Sequence, residues 1–295
     1  MHEHQQNMKG AIFMMVSMAG FVLNDTMIKL VSGDLLMFQT IFLRGVLATV
    51  LIALLAHNKG ALTFRPTRRD LNIIGLRTFA EMGATFCFLS ALFQMPLAGV
   101  TAILQSLPLA VTLAAALFLG EKVGWRRYIA IILGFLGVML IIRPGTSGFS
   151  IHSLWALGAV GFVTLRELST RKLSPETPSL YVALITSVVI TVVAGALSFT
   201  QEWQEVSTVN ALYLSLAAVF ILVAYIAGVA AMRYGEIAFV SPFRFSALIW
   251  AILLGLIVFK DVLDIWTISG SVVVVGTGVF TFYREQQTRR KINKG

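Results

Sequence analysis

The chain has 295 residues, of which 57% are hydrophobic and only 13% charged, with a net charge of +9. A soluble domain carries about 25% charged residues, so a soluble globule is excluded and lipid must cover much of this surface. The basic excess does not point to nucleic acid, because it lies in short segments between apolar runs, and the single cysteine, Cys87, excludes an internal disulfide and a cysteine-rich zinc site.

In chain order the apolar runs are Met8–Leu30, Leu35–Ala56, Leu71–Gln94, Leu97–Leu119, Trp125–Ile142, Ser150–Thr170, Ser179–Phe199, Ala211–Met232, Ala238–Phe259 and Leu263–Tyr283. A membrane helix needs about 20 mainly apolar residues, so these predict ten spans. The first run lacks an A-x-A cleavage pattern and reads as a retained helix rather than a signal peptide. The fifth is short, and the sixth carries Arg166 and Glu167.

Charge tests the count. With the N-terminus in the cytoplasm, sixteen basic residues fall on the cytoplasmic side, among them Lys9, Arg68, Arg69, Lys122, Arg126, Arg127, Arg171, Lys172, Arg289, Arg290, Lys291 and Lys294. The other side holds Arg143 and Lys260 alone. Positive residues stay in the cytoplasm, so both termini are expected there, and residues 284–295 read as a basic cytoplasmic tail. The lipid bilayer is the expected partner, with no nucleic acid.

The chain repeats itself. Shifted by 140 positions, Leu97–Ser106 lies over Ile237–Ser246, with Ala98, Val100 and Ser106 over Ala238, Val240 and Ser246. Further on, Glu121 meets Asp261 and Trp125 meets Trp266 after one inserted residue. Five spans is an odd number, so a second copy inserts upside down. The expected fold is an all-α membrane protein with ten transmembrane helices as two inverted five-helix repeats, residues 8–142 and 150–283. Such repeats build secondary transporters with the substrate site near the midplane.

Several stretches resemble the ten-helix EamA-type members of the drug/metabolite transporter superfamily. They are NDTMIKL from Asn24, FLRG from Phe42, MPLAGVTAILQSLPL from Met95, FLGEKVGWRR from Phe118, GFLGVMLIIRPG from Gly134 and SPFRFSALIWAILLGLIVFKDVLD from Ser241. The resemblance implies a carrier of a small metabolite. Similar chains import riboflavin, S-adenosylmethionine or carnitine, and others export amino acids and related metabolites. SPFRF with Trp250 is most similar to the riboflavin and S-adenosylmethionine importers, and riboflavin uptake is the first expectation.

Charges inside spans mark function, because each costs about 2.5–3.5 kcal/mol at mid-bilayer. They are Asp25, Lys29, Arg44, Arg77, Glu81, Arg166, Glu167 and Arg244. Asp25 with Lys29, and Arg77 with Glu81, have the i,i+4 spacing of a neutralising pair on one helix face. Arg166 and Glu167 point about 100° apart, so at least one is expected to reach another helix. Arg44 and Arg244 lack a nearby acidic neighbour in sequence and need acceptors from other helices or a ligand. Five basic against three acidic residues favours a neutral or anionic ligand.

Gln105 precedes Pro108, which frees a backbone carbonyl, and Pro242 interrupts the ninth span likewise. Phe243, Phe245 and Trp250 adjoin Arg244 and could stack on a heterocycle, as could Tyr225, Trp155 and Phe86. The candidate substrate-binding set is Arg44, Arg77, Glu81, Gln105, Phe243, Arg244 and Trp250. Helix packing is the alternative role for each. The four histidines show no metal-ligand spacing, and no P-loop motif supplies an ATP motor, so no cofactor or metal is expected. An intramembrane enzyme and a lipid flippase are the other classes that composition allows. Oligomeric state stays open, with a homodimer among the options.

Overall fold

The computed structural model describes residues 2–121, 123–146, 149–234 and 237–292, with side chains at all of these except 2–4, 237–238 and 285–292. Lys122, Lys294 and the side chains of His2, His4, Ala238, Arg289, Arg290 and Lys291, on which parts of the charge count, the histidine reading and the repeat rest, lie outside the described side chains.

Twelve α-helices occur among the described residues: α1 (His2–Val31), α2 (Met37–Asn58), α3 (Arg68–Gln94), α4 (Leu97–Leu104), α5 (Leu107–Phe118), α6 (Trp125–Ile142), α7 (His152–Thr170), α8 (Ser179–Ser198), α9 (Thr208–Tyr234), α10 (Ile237–Val240), α11 (Ser246–Leu254) and α12 (Ile265–Ile292). Punctuation residues set their ends. Thr67 caps α3 by accepting from the Asp70 N–H at 3.1 Å, while its hydroxyl donates to the Asp70 carboxylate at 2.8 Å. Pro96 holds Met95 extended and starts α4. Arg143 ends α6 in the left-handed region, φ 52°, just before Pro144.

Two spans are broken. α4 and α5 form the fourth span, interrupted at Gln105–Ser106, where Pro108 lacks the N–H that would bond Leu104. The ninth span runs α10, a 3₁₀ turn at Ser241–Phe245 containing Pro242, then α11 and a π turn at Gly255–Phe259. Nine spans of the described chain are long and apolar enough to cross a membrane. The sixth span, α7, has the length (19 residues) but loses hydropathy to Arg166 and Glu167.

The helices pair across the chain's midpoint. The most extensive contacts are α1 with α9, α3 with α7, α6 with α12 and α2 with α8, and α4 meets α11. In span numbers, first meets eighth, third meets sixth, second meets seventh, fourth meets ninth and fifth meets tenth. Every pairing is the mate of another, or of itself, under exchange of the halves. The pairing is thus symmetric under exchange of the first five spans with the second five.

Small residues let the paired helices approach. A Cβ on Gly45 of α2 would meet Thr191 of α8, and one on Gly195 of α8 would meet Phe42 of α2. At the α6–α12 crossing a Cβ on Gly270 would lie 2.5 Å from the Gly137 carbonyl oxygen and 2.6 Å from Ile141. Gly270→Leu is therefore expected to destabilise by about 1–3 kcal/mol or more through overpacking. Gly276→Leu, where a Cβ meets nothing within 4 Å, is the control. Thermal unfolding of the two variants in detergent checks this, and equal midpoints would contradict it.

Candidate functional site

The reciprocal pairing brings the polar faces of α1, α2, α3, α7 and α9 together. Arg166 of α7 is the shared cation. Its Nη1 donates to both oxygens of Glu81 on α3, at 3.1 and 3.0 Å, and its Nη2 donates to Glu167 at 2.7 Å. Arg166 reaches another helix as its position predicts, and its length also lets it meet Glu167 beside it. One guanidinium thus holds two carboxylates, the one on α3 joining the halves, and each is held by a charge-assisted bond.

The expected i,i+4 pairs fare differently. Arg77 stands 4.0 Å from Glu81 and is held instead by hydroxyls, donating to Thr170 at 3.1 Å and to Thr186 at 2.9 Å. Nothing in the sequence singled out those threonines. The Asp25–Lys29 pair does not form. Lys29 Nζ donates to the carbonyls of Leu92 and Met95, at 2.9 and 2.6 Å, and lies 5.5 Å above the Phe259 ring. The C-terminal carbonyls of a helix lack intrahelical donors, and the end of α3 captures the ammonium.

Asp25 is left to other company. It accepts from Asn24 Nδ2 at 2.9 Å. Its basic neighbour is Arg44 of α2, which also feels Tyr225 and Glu81. Yet no ion pair within 4.0 Å joins Arg44 to any described carboxylate. The Arg44 Nε and the Asn24 Oδ1 are buried without a hydrogen-bond partner. Tyr225 of α9 sits among Glu81, Arg166, Arg44 and Arg77, with half its surface open and Phe21 edge-on at 5.4 Å. Asp25, Asn24 and Tyr225 are thus functional candidates beyond the sequence-derived set. Asp25 was obscured by its apparent pairing with Lys29.

Gln105 lies at the other focus. Its Nε2 donates to the carbonyls of Phe245 at 3.3 Å and Arg244 at 3.5 Å, tying the break of the fourth span to that of the ninth. Phe243 packs on Phe239 in a core with Met14, Ala231 and Val240. Phe245 is buried edge-on to Phe282. Arg244 is exposed and has no ion pair among the described residues. It is not an electrostatic neighbour of Arg44, Arg166 or Tyr225. Trp250 lies partly open on α11. So the structure gathers Arg44, Arg77 and Glu81 and sets Gln105, Phe243, Arg244 and Trp250 apart from them. Phe86 and Trp155 do meet, edge-on at 5.3 Å, with Phe38 stacked beyond at 6.2 Å. A 370 Å³ apolar cavity lined by Trp125, Ile129, Leu133 and Phe280, between α6 and α12, shares no residue with the charged cluster.

Bonds between the halves close both ends. At the end that the charge count assigns to the outside, Arg143 donates to Asp264 at 2.6 Å and Gln39 exchanges bonds with the Gln204 backbone at 2.7 and 3.2 Å. At the opposite end Arg171 donates to Glu121 at 2.9 Å, and the Ser174 hydroxyl to Asp70 at 2.9 Å. Partial burial works to raise the Asp264 pKa, but the Thr267 N–H it caps at 2.9 Å and Arg143 outweigh it and hold the carboxyl below its usual value. A depressed carboxyl stabilises fully above the unfolded pKa of about 3.9. That contribution is lost as pH falls through the lower folded value. Asp264→Asn is expected to lower the unfolding temperature at pH 7, and the difference from wild type to narrow as pH falls below about 3.9. A gap that persists undiminished at pH 3 would contradict this.

Known proteins resemble the chain along its length. Residues 8–143 match the model of the EamA-like transporter family. The chain is 24% identical to an S-adenosylmethionine uptake transporter of Rickettsia felis over 94% of each protein. It is 28% identical to a riboflavin transporter of Vibrio cholerae over 74% of each. A pseudopaline exporter of Pseudomonas aeruginosa is 25% identical over 90% of this chain and 93% of that one. The family match covers the first five spans, and relatives 24–28% identical carry the resemblance along the rest of the chain: the chain is similar to EamA-type members of the drug/metabolite transporter superfamily.

Proposed function

We propose that the chain is a secondary carrier importing a small metabolite with a zwitterionic amino-acid head group, of the S-adenosylmethionine class, across a bacterial plasma membrane with both termini cytoplasmic. Residues 8–142 and 150–283 act as two units that rock about the central cluster and expose it to each side in turn. The observation that carries the substrate class is the balance of interior charge. Arg44, Arg77 and Arg166 face Asp25, Glu81 and Glu167, while Lys29 and Arg244 stand apart. The basic surplus that argued for a neutral or anionic ligand is absent from the cluster itself. A balanced cluster suits a ligand carrying both signs.

Riboflavin is the second reading. It is supported by Arg244 standing exposed at the break of the ninth span and Trp250 lying open farther along the same span. Uptake of labelled S-adenosylmethionine and riboflavin into proteoliposomes holding the purified full chain separates them. Saturable accumulation of the first, unaffected by excess riboflavin, is expected. Uptake of riboflavin alone would overturn the zwitterion reading and keep the carrier. Accumulation of neither, with efflux from loaded vesicles of the opposite orientation, would reverse the direction.

A further inference from the structure

The interior charges divide into a closed group and an open one. Glu81 and Glu167 are occupied by Arg166, and Arg77 is held by two threonines. Asp25 and Arg44 attract each other, yet no bond of 4.0 Å or less closes the distance. On either flank an orphaned polar atom waits: the Nε–H of Arg44, a donor, and the Oδ1 of Asn24, an acceptor. Asn24 is 3% exposed, and its own amide nitrogen fixes its orientation by donating to Asp25. Buried polar groups are almost always satisfied, so a donor and an acceptor left open around one carboxylate have the character of a binding site.

We infer that Asn24, Asp25 and Arg44 form the subsite for the α-amino-acid head group of the substrate. The inference rests on the zwitterion reading above. An ammonium has three donors and no acceptor. Asp25 and the free Asn24 oxygen offer it two acceptors side by side. A carboxylate takes two parallel bonds from a guanidinium fork, and the open Nε is one prong of its side-on face. α1 and α2 belong to the first half, and Tyr225 beside Arg44 belongs to the second. A head group between Asp25 and Arg44 therefore touches both rocking units.

The test is binding of labelled S-adenosylmethionine to the full chain in lipid nanodiscs, competed by decarboxylated S-adenosylmethionine, which keeps the sulfonium and adenosine and lacks the carboxylate. Loss of a charge-assisted fork is expected to weaken the analogue by about 10- to 100-fold. Arg44→Met should weaken S-adenosylmethionine by the same factor and leave the analogue unchanged, and Asn24→Leu should weaken both. Equal competition by the two ligands on wild-type protein overturns the subsite, whether or not any variant folds, and leaves the carrier reading intact. Binding with these ratios but without vesicle uptake keeps the subsite and overturns import. No binding of either ligand overturns both.

Discussion

Arg166→Met is expected to remove the folded carrier from the membrane. The substitution roughly keeps volume and raises the hydropathy of α7, so insertion of α7 improves while the assembled bundle suffers. Glu81 loses both its bonds from Arg166 and Glu167 loses its one. Glu81 retains only the Arg77 contact at 4.0 Å. Removing one partner of a buried ion pair costs about 3–5 kcal/mol, whereas replacing the whole set by apolar groups is often neutral. The triple change Arg166→Met, Glu81→Gln, Glu167→Gln should therefore recover most of the unfolding temperature that the single change loses. Thermal unfolding followed by size-exclusion chromatography reads both. A single variant as stable as wild type would mean that the guanidinium carries no structural weight.

That network also shows where sequence reasoning reaches and where it stops. The ten spans follow from runs of apolar residues and alternating basic loops, because water and lipid sort side chains with little regard for which helix meets which. The breaks in the fourth and ninth spans were legible at Pro108 and Pro242, since a missing N–H breaks a helix wherever it stands. The partner of each charge was not. Spacing along one helix pointed Lys29 at Asp25, but its ammonium found the open end of α3, 63 and 66 residues away. Arg77 spent its donors on Thr170 and Thr186, residues with no signal in an apolar span. Phe243 and Trp250, neighbours of Arg244 in sequence, part company because a 3₁₀ turn gives way to α11 between them. Partner choice is a long-range property, and a single sequence carries it only through residues as unusual as an arginine in mid-span.

Lys29→Glu carries the second large effect. The wild-type ammonium bonds the last carbonyls of α3 and lies over Phe259, and Asp261 is its acidic neighbour. The Asp261 Oδ2 is buried with no hydrogen-bond partner. Leu92 and Met95 flank the turn between the third and fourth spans, and Asp261 lies in the turn between the ninth and tenth. One side chain thus links a turn of each half at one end of the bundle. Lys29→Met leaves the carbonyls without a donor, at about 1–3 kcal/mol for each buried orphan. Lys29→Glu adds a carboxylate facing two carbonyl oxygens and Asp261, so it should cost more than the methionine and abolish uptake. If the cost is electrostatic, Asp261→Asn in the Lys29→Glu background must return part of the lost unfolding temperature, and the same change in the wild-type background must not raise it. If packing of the long stem is what matters, Lys29→Met should match wild type, because methionine fills nearly the same space, and Asp261→Asn should rescue nothing. The two accounts disagree on both Lys29→Met and the rescue by Asp261→Asn, so five melting curves, wild type included, decide whether this end of the carrier is held by charge or by shape.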